Sequence, residues 1–240
     1  MSVRPLSSVL KAFAALDIIA SSTEPLRLAD VSRMLGEARA TTLQRLVTLV
    51  EAGWVEQSDD GRYRLTLKVV HHATIAMEQA GIGTRLLGIL QETVAESGET
   101  ASLAVLEGTE SVIINRVESR GLLRADLRIG SRLPLSGSAT GRVLVAHASP
   151  DTISRLERAG IELGDPAMLS EVRERGFAVS GPLGPRTVTA VAAPVFGVRG
   201  ECIAALSISG PTNGFDMDLS SRIVTQAASK ATARIRGANE

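Results

Sequence analysis

Between residues 40 and 65 the hydrophobic period changes once, and that change limits what the chain can fold into. In "ATTLQRLVTLVEAGW", residues 40–54, Leu43, Leu46, Val47 and Val50 fall at i, i+3, i+4 and i+7. That is one apolar stripe on a helix, which Gly53 ends. Directly after it, "WVEQ" and "RYRL" flank Ser58-Asp59-Asp60-Gly61, and Asp-Gly between alternating residues is a strong hairpin signal. Upstream, Val9, Phe13, Leu16 and Ala20 recur at helical spacing over 8–21, with Ser7 and Ser8 available as caps. Pro25 breaks the chain. "ADVSRMLG" then reads as a short helix from Ala29 to Leu35, stopped by Gly36, with Asp30 favouring its first turn. Three helices, the last two joined by a tight turn, followed by a hairpin predict a winged helix-turn-helix over residues 1–66.

On the third helix, Thr41, Gln44, Arg45 and Thr48 cluster opposite the apolar stripe. Gln pairs with adenine edges, Thr touches the thymine methyl, and Arg meets guanine or phosphate. Arg39 and Thr42 on the same helix, with Arg62, Tyr63 and Arg64 in the wing, complete a candidate DNA-binding set. Charge gives no bulk support: Lys+Arg and Asp+Glu both number 26. Residues 1–66 themselves hold eight basic and eight acidic side chains. The DNA reading rests on distribution, since 38–50 holds two arginines and no acid. The alternative is a ligand-sensing protein whose winged helix makes protein contacts only.

"LKVVHHATIAMEQA", 67–80, reads as a linker helix with Leu67, Val70, Ala73 and Met77 near one face, and the domain boundary falls near Gly81. Residues 81–240 form the second domain. A helix over 85–96 precedes strands in "ASLAVLE", "SVIINRV" and "LLRADLRI". In the last, Leu123, Ala125, Leu127 and Ile129 alternate with Arg124, Asp126 and Arg128. Helical patterns return over 138–147, 151–159 and 166–175. "FAVS", "TAVAAPVF" and "CIAALSIS" follow as strands, and 218–236 as a final helix. Strands and helices are segregated, which predicts an α+β sheet and not a parallel doubly wound one.

Catalytic signals are absent from the sequence. His71 and His72 are adjacent and diverge on a helix, so they cannot share a metal. No metalloprotease, Cys-x-x-Cys, P-loop or dinucleotide motif occurs, and "LSGSATG" is not a hydrolase elbow. Cys202 sits in an apolar strand pattern as a small hydrophobe. The expectation is no enzyme, no metal and no cofactor. A single cysteine, no signal-peptide pattern and no membrane-length apolar run predict a cytoplasmic protein.

In "LPLSGSATGRVLVAH", Ser136 or Ser138 would cap a helix whose free amides lie around Ala139, Thr140 and Gly141. Such an end binds carboxylates and phosphates, although a plain capped helix has the same sequence. Ser207 and Ser209 share one strand face, as do Thr187 and Thr189. Their hydroxyls either line a pocket or are satisfied within the sheet.

Four pieces of the chain resemble the IclR family of bacterial transcriptional regulators: "ATTLQRLVTLVEAGWVE" with "DDGRYRL"; "RIGSRLPLSGSATGRVLVA"; "RGFAVSGPLGPRTVTAVAAPVF"; and "AALSISGP". The resemblance implies a winged-helix reader, a linker helix that helps dimerise, and a GAF/profilin-like effector domain with an antiparallel sheet flanked by helices. It also implies a homodimer or dimer of dimers on palindromic double-stranded operator DNA. The effector would be a small carboxylate or an aromatic-catabolism metabolite. By position, the anion-binding helix start falls on Ala139 and Thr140 and the strand serine on Ser207 or Ser209, with Ser138, Gly141, Ser180, Thr189 and Ala190 around them. Two departures stand out. Ser180, Gly181 and Pro182 replace an acidic run, and Ala190 replaces a frequent cysteine. Both leave the pocket less polar, so the effector does not carry over from glyoxylate-type relatives.

Overall fold

A computed structural model describes residues 4–79, 82, 86–119, 121, 127–181 and 188–237. The chain divides into two compact units, Met1–Gln79 and Ala80–Glu240. In the first, helices α1 (Ser7–Ser21), α2 (Leu28–Leu35) and α3 (Arg39–Glu51) precede a hairpin of β2 (Val55–Gln57) and β3 (Arg62–Leu65). A two-residue strand β1 (Leu26–Arg27), absent from the sequence reading, adds to the free side of β3 and makes a three-stranded antiparallel sheet. Gly36, at φ 67°, stops α2, and Ser32 Oγ donates to the Glu37 carbonyl at 2.6 Å to close the turn into α3. Ala15, Ile19, Val31, Leu46, Leu49, Val55 and Tyr63 form the core.

Helix α4 (Lys68–Gln79) ends this unit and is tied to it locally. Thr66 Oγ1 donates to the Gly53 carbonyl at 2.6 Å, and Lys68 Nζ donates to that of Ala52 at 2.8 Å. The His72 ring lies 4.6 Å from that of Trp54.

In the second unit, helix α5 (Leu87–Ser97) leads into β4 (Thr100–Glu107), β5 (Glu110–Val117) and the short β6 (Arg132–Leu133). Helices α6 (Ala139–Ala146), α7 (Pro150–Arg158) and α8 (Pro166–Arg175) follow. Strands β7 (Ala178–Ser180), β8 (Val188–Phe196) and β9 (Cys202–Pro211) then precede α9 (Met217–Arg236). The strands form one antiparallel sheet in the order β6-β5-β4-β9-β8-β7.

Period-two alternation gives each face its own layer. Ala101, Leu103, Val191, Val195, Leu206 and Ile208 pack with Leu86 at the cap of α5, with Leu90 within it, and with Val224 and Ala228 of α9. On the other face Ala178, Ala192 and Ala205 pack with Val143, Leu144, Leu156 and Val172 of α6–α8. Their small side chains let α6 lie close to the sheet. Gly141 lets α6 press against the segment that leads into it, because a Cβ there would stand 2.5 Å from the Leu135 carbonyl oxygen.

Three local expectations change. Neither Ser7 nor Ser8 caps α1; the cap position is Leu6, with no side-chain bond. The strand expected in "LLRADLRI" falls partly on 122–126, outside the described residues. Its remainder is irregular, and Ile129 lies in an exposed turn, with β6 following at Arg132. Finally, the apolar stripes read on α1 and α3 are buried only in part, at Leu16 and Leu46. Val9 and Phe13 are exposed, as are Leu43, Val47 and Val50, whereas Ala15, Ile19, Thr42, Leu46 and Leu49 carry the contact with the core.

Candidate functional site

The first candidate site is the surface of the winged helix. At the start of α3, Ala38 caps without a side-chain bond, which leaves the amides of Arg39, Ala40 and Thr41 as a free positive helix end. Arg39 is exposed and has no acidic partner among the described residues. Helix end and guanidinium together favour a phosphate.

The structure removes three of the nine candidate DNA contacts. Thr42 is 0% exposed, and its hydroxyl donates to the Ala38 carbonyl, so it supports the turn and cannot reach a base. Tyr63, 3% exposed, is a core residue on the central strand of the small sheet. Arg45 is already spent: its Nε and Nη2 donate to Glu37 at 2.8 and 3.1 Å, and Lys11 reaches the same carboxylate at 2.6 Å. These two cations hold the Glu37 carboxyl at about 2, Arg45 contributing most.

Thr41, Gln44 and Thr48 are exposed, but they border a groove of about 490 Å³ shared with Val9, Phe13 and Trp54. Thr48 also donates back to the Gln44 carbonyl at 2.8 Å. In the wing, Arg62 pairs with Asp60 at 2.9 Å and Arg64 contacts Glu56. Such surface pairs are worth about 0–1 kcal/mol, so a phosphate competes with them readily.

The second candidate site lies on the sheet face that α6–α8 cover. Ser138 caps α6, but its hydroxyl is fully used, accepting from the Gly141 amide at 3.0 Å and donating to the Pro134 carbonyl at 2.7 Å. Ser138 and Gly141 therefore drop out as ligand donors. The Thr140 hydroxyl accepts from Ser111 at 2.9 Å. The amides of Ala139 and Thr140 have no partner among the described residues. Arg142 fixes the helix against β7 by donating to the carbonyls of Ser136 and Val179.

Strand register sorts the remaining candidates. Ser207 lies opposite Ser102 on one side and Ala192 on the other, and Ser102 lies opposite Arg116. One step along, Thr100, Ser209, Ala190 and Ser180 form the next row. These rows put Ser180, Ala190, Ser207 and Ser209 on one face. Thr189 belongs to the opposite face, where its hydroxyl bonds that of Thr212 at 2.8 Å, so it leaves the set. Thr187 lies outside the described residues.

Four polar residues on this face escaped the sequence reading: Thr100, Ser102, Ser111 and Arg116. Thr100 and Ser102 carry the same alternation with Ala101 and Leu103 that marked Ser207 and Ser209. Arg116 was the one charge inside "SVIINRV". Its side chain is 6% exposed, with Nη1 3.8 Å from Glu118. The Ser102 hydroxyl, on a residue 2% exposed, is buried without a hydrogen-bond partner among the described residues.

A winged helix with a free reading-helix start, followed by a sheet domain layered by helices on both faces, is the plan of a DNA-binding regulator with a second domain. Residues 8–59 match the family described as IclR helix-turn-helix domain, and residues 74–235 match bacterial transcriptional regulator IclR C-terminal. Over 223 residues the chain is 30% identical to the HTH-type transcriptional regulator XynR of Escherichia coli K12, covering 88% of each. A putative IclR transcriptional regulator from Silicibacter sp. TM1040 superposes with a TM-score of 0.81 at 26% identity, covering 97% of both chains. An IclR homolog from Microbacterium hydrocarbonoxydans, complexed with 4-hydroxybenzoate, shares the fold at 21% identity with a TM-score of 0.80, covering 97% of this chain and 100% of that one. The chain belongs to the IclR family of bacterial transcriptional regulators, and DNA binding is the work of its first unit.

Proposed function

We propose that a small organic carboxylate controls this regulator's hold on its operator, by binding in the second unit against the row Arg116–Ser102–Ser207. The observation that carries the reading is the Ser102 hydroxyl, buried in the middle of that row without a partner among the described residues. An unsatisfied buried hydroxyl costs about 1–3 kcal/mol, which a ligand oxygen would recover. Ser207 Oγ is little better served, since it reaches only the Ser102 carbonyl at 3.5 Å. The Arg116 guanidinium on the same face supplies the charge that selects an anion. That a protein of the same fold holds 4-hydroxybenzoate supports an aromatic acid as one candidate.

On this reading the chain senses and does not catalyse. Burial pushes the Cys202 thiol up to about 12, which leaves no thiolate at neutral pH. Burial, helped by Arg173, holds His147 below the usual imidazole range. The regulator acts in the cytoplasm as a homodimer or dimer of dimers on a palindromic site. No helix among the described residues is long and apolar enough to cross a membrane.

Calorimetry on the full chain with a panel of aromatic and aliphatic carboxylates, 4-hydroxybenzoate among them, tests the effector site. One or more acids should bind, and Ser102→Ala and Arg116→Gln should each weaken that acid by about 10- to 100-fold, the range of a hydrogen bond to a charged group. Operator binding without ligand should persist in both variants. If both variants bind the acid as the parent does, or if only neutral or cationic compounds bind, the site is wrong.

A further inference from the structure

We propose that α3 reads thymine through apolar contact, with Leu43 and Val47 each seated on a thymine 5-methyl group in the major groove. The starting observation is the phase of the helix. Thr42, Leu46 and Leu49 are its buried residues. At 100° per residue, the opposite pole is formed by Ala40, Gln44 and Val47, with Leu43 on the adjoining flank. Leu43 is 41% exposed and Val47 57% exposed. The other flank, Thr41, Arg45 and Thr48, borders the groove beside α1, and Arg45 is held by Glu37. The polar residues that most resemble base readers are thus turned partly aside, and two aliphatic side chains stand beside Gln44 in their place.

A reading helix presents its N-terminal residues to base edges. Among the groups displayed in the major groove, the thymine methyl is the largest apolar one. Exposed Leu and Val side chains gain nothing from guanine or cytosine edges, where they would bury polar groups without hydrogen bonds. They gain burial against a methyl. The nearly neutral charge of residues 1–66 points the same way, because it leaves more of the affinity to contacts other than phosphate. Leu43 and Val47 are four residues apart, about 6 Å along the helix, which spans about two base-pair steps. Gln44 lies between them at the height to pair with an adenine edge.

The test uses the full-length protein and operators recovered by selection from random duplex DNA. Each thymine is then replaced by deoxyuridine, which removes the methyl and nothing else. Two thymines about two steps apart should each show a loss of about four-fold, the factor equivalent to about 0.8 kcal/mol for burying one methyl-sized group. Leu43→Ala should abolish the loss at one of them and Val47→Ala at the other. Gln44→Ala should leave both losses in place while relaxing preference at an intervening position. Both aliphatic side chains are exposed, so the alanine variants should melt as the parent does, and a lower melting temperature would count against the assigned exposure. The proposal is overturned if the selected sites lack thymine there, or if deoxyuridine costs nothing at any position. It is equally overturned if the losses survive in both variants, or if the variants change sedimentation, which would make this face a contact between copies of the chain.

Discussion

Glu37 illustrates how one side chain decides what its neighbours are free to do. It sits in the turn before α3, its side chain 11% exposed, and gathers Arg45 and Lys11. Its carboxyl lies at about 2, below the ordinary value of 4.5, so the folded state binds the proton more weakly than the unfolded state does. The stabilisation is therefore fully present above pH 4.5 and fades as pH falls towards 2. Glu37→Gln should lower the melting temperature at neutral pH. The gap from the parent should stay constant down to about pH 5 and close towards pH 2; a gap that ignores pH would mean packing, not charge. Arg45 was read from the sequence as a DNA contact because arginine at an outward helical phase has that meaning. What claimed it lies eight residues away in a turn, and periodicity does not report turn contacts.

At the scale of the element, helices and strands were largely legible, and which side each one buries was less so. Leu43, Val47 and Val50 make a stripe as good as any core stripe, but periodicity says that a face is apolar and not what covers it. The same holds for Val9 and Phe13 on α1. In β8 the alternation was clear, yet pairing with β9 decides which alternate residues face α6, and that placed Thr189 on the wrong side. The Ser102 and Arg116 row was likewise invisible until three strands were set side by side. Helix α6 offers a direct check on its packing. Gly141→Ala would put a methyl 2.5 Å from the Leu135 carbonyl oxygen. Overpacking of this kind costs about 1–3 kcal/mol, against a gain of about 1 kcal/mol from alanine's helix propensity. Chemical denaturation should therefore show net destabilisation of up to about 2 kcal/mol; a gain in stability would mean that the 134–135 segment yields.

For the molecule as a whole, the exposed apolar surface around α4 is where the proposed dimer can be tested. Leu67 is 85% exposed, Val70 58% and Ile75 40%, all on or just before α4. On the proposed dimer, Val70→Asp should bury a charge without a partner and weaken association, which sedimentation would read directly. Binding to an isolated half-site should be far weaker than to the inverted repeat in the parent, because two weak modules gain from acting together. An unchanged dimer, or tight half-site binding in footprinting, would reject that arrangement. The sheet order carries one more consequence, concerning birth on the ribosome. Strand β4 completes its pairing only with β9, and Ser102 and Ser207, neighbours in the sheet, are 105 residues apart in the chain. At roughly 5–20 residues per second, β4 waits roughly 5–20 s for that partner. During that interval the winged helix, whose core residues from Ala15 to Tyr63 are already made, has what it needs to fold, while the β4–β5 hairpin keeps an open edge. Each newly made chain thus passes through a period in which it carries a DNA reader and no finished sensor.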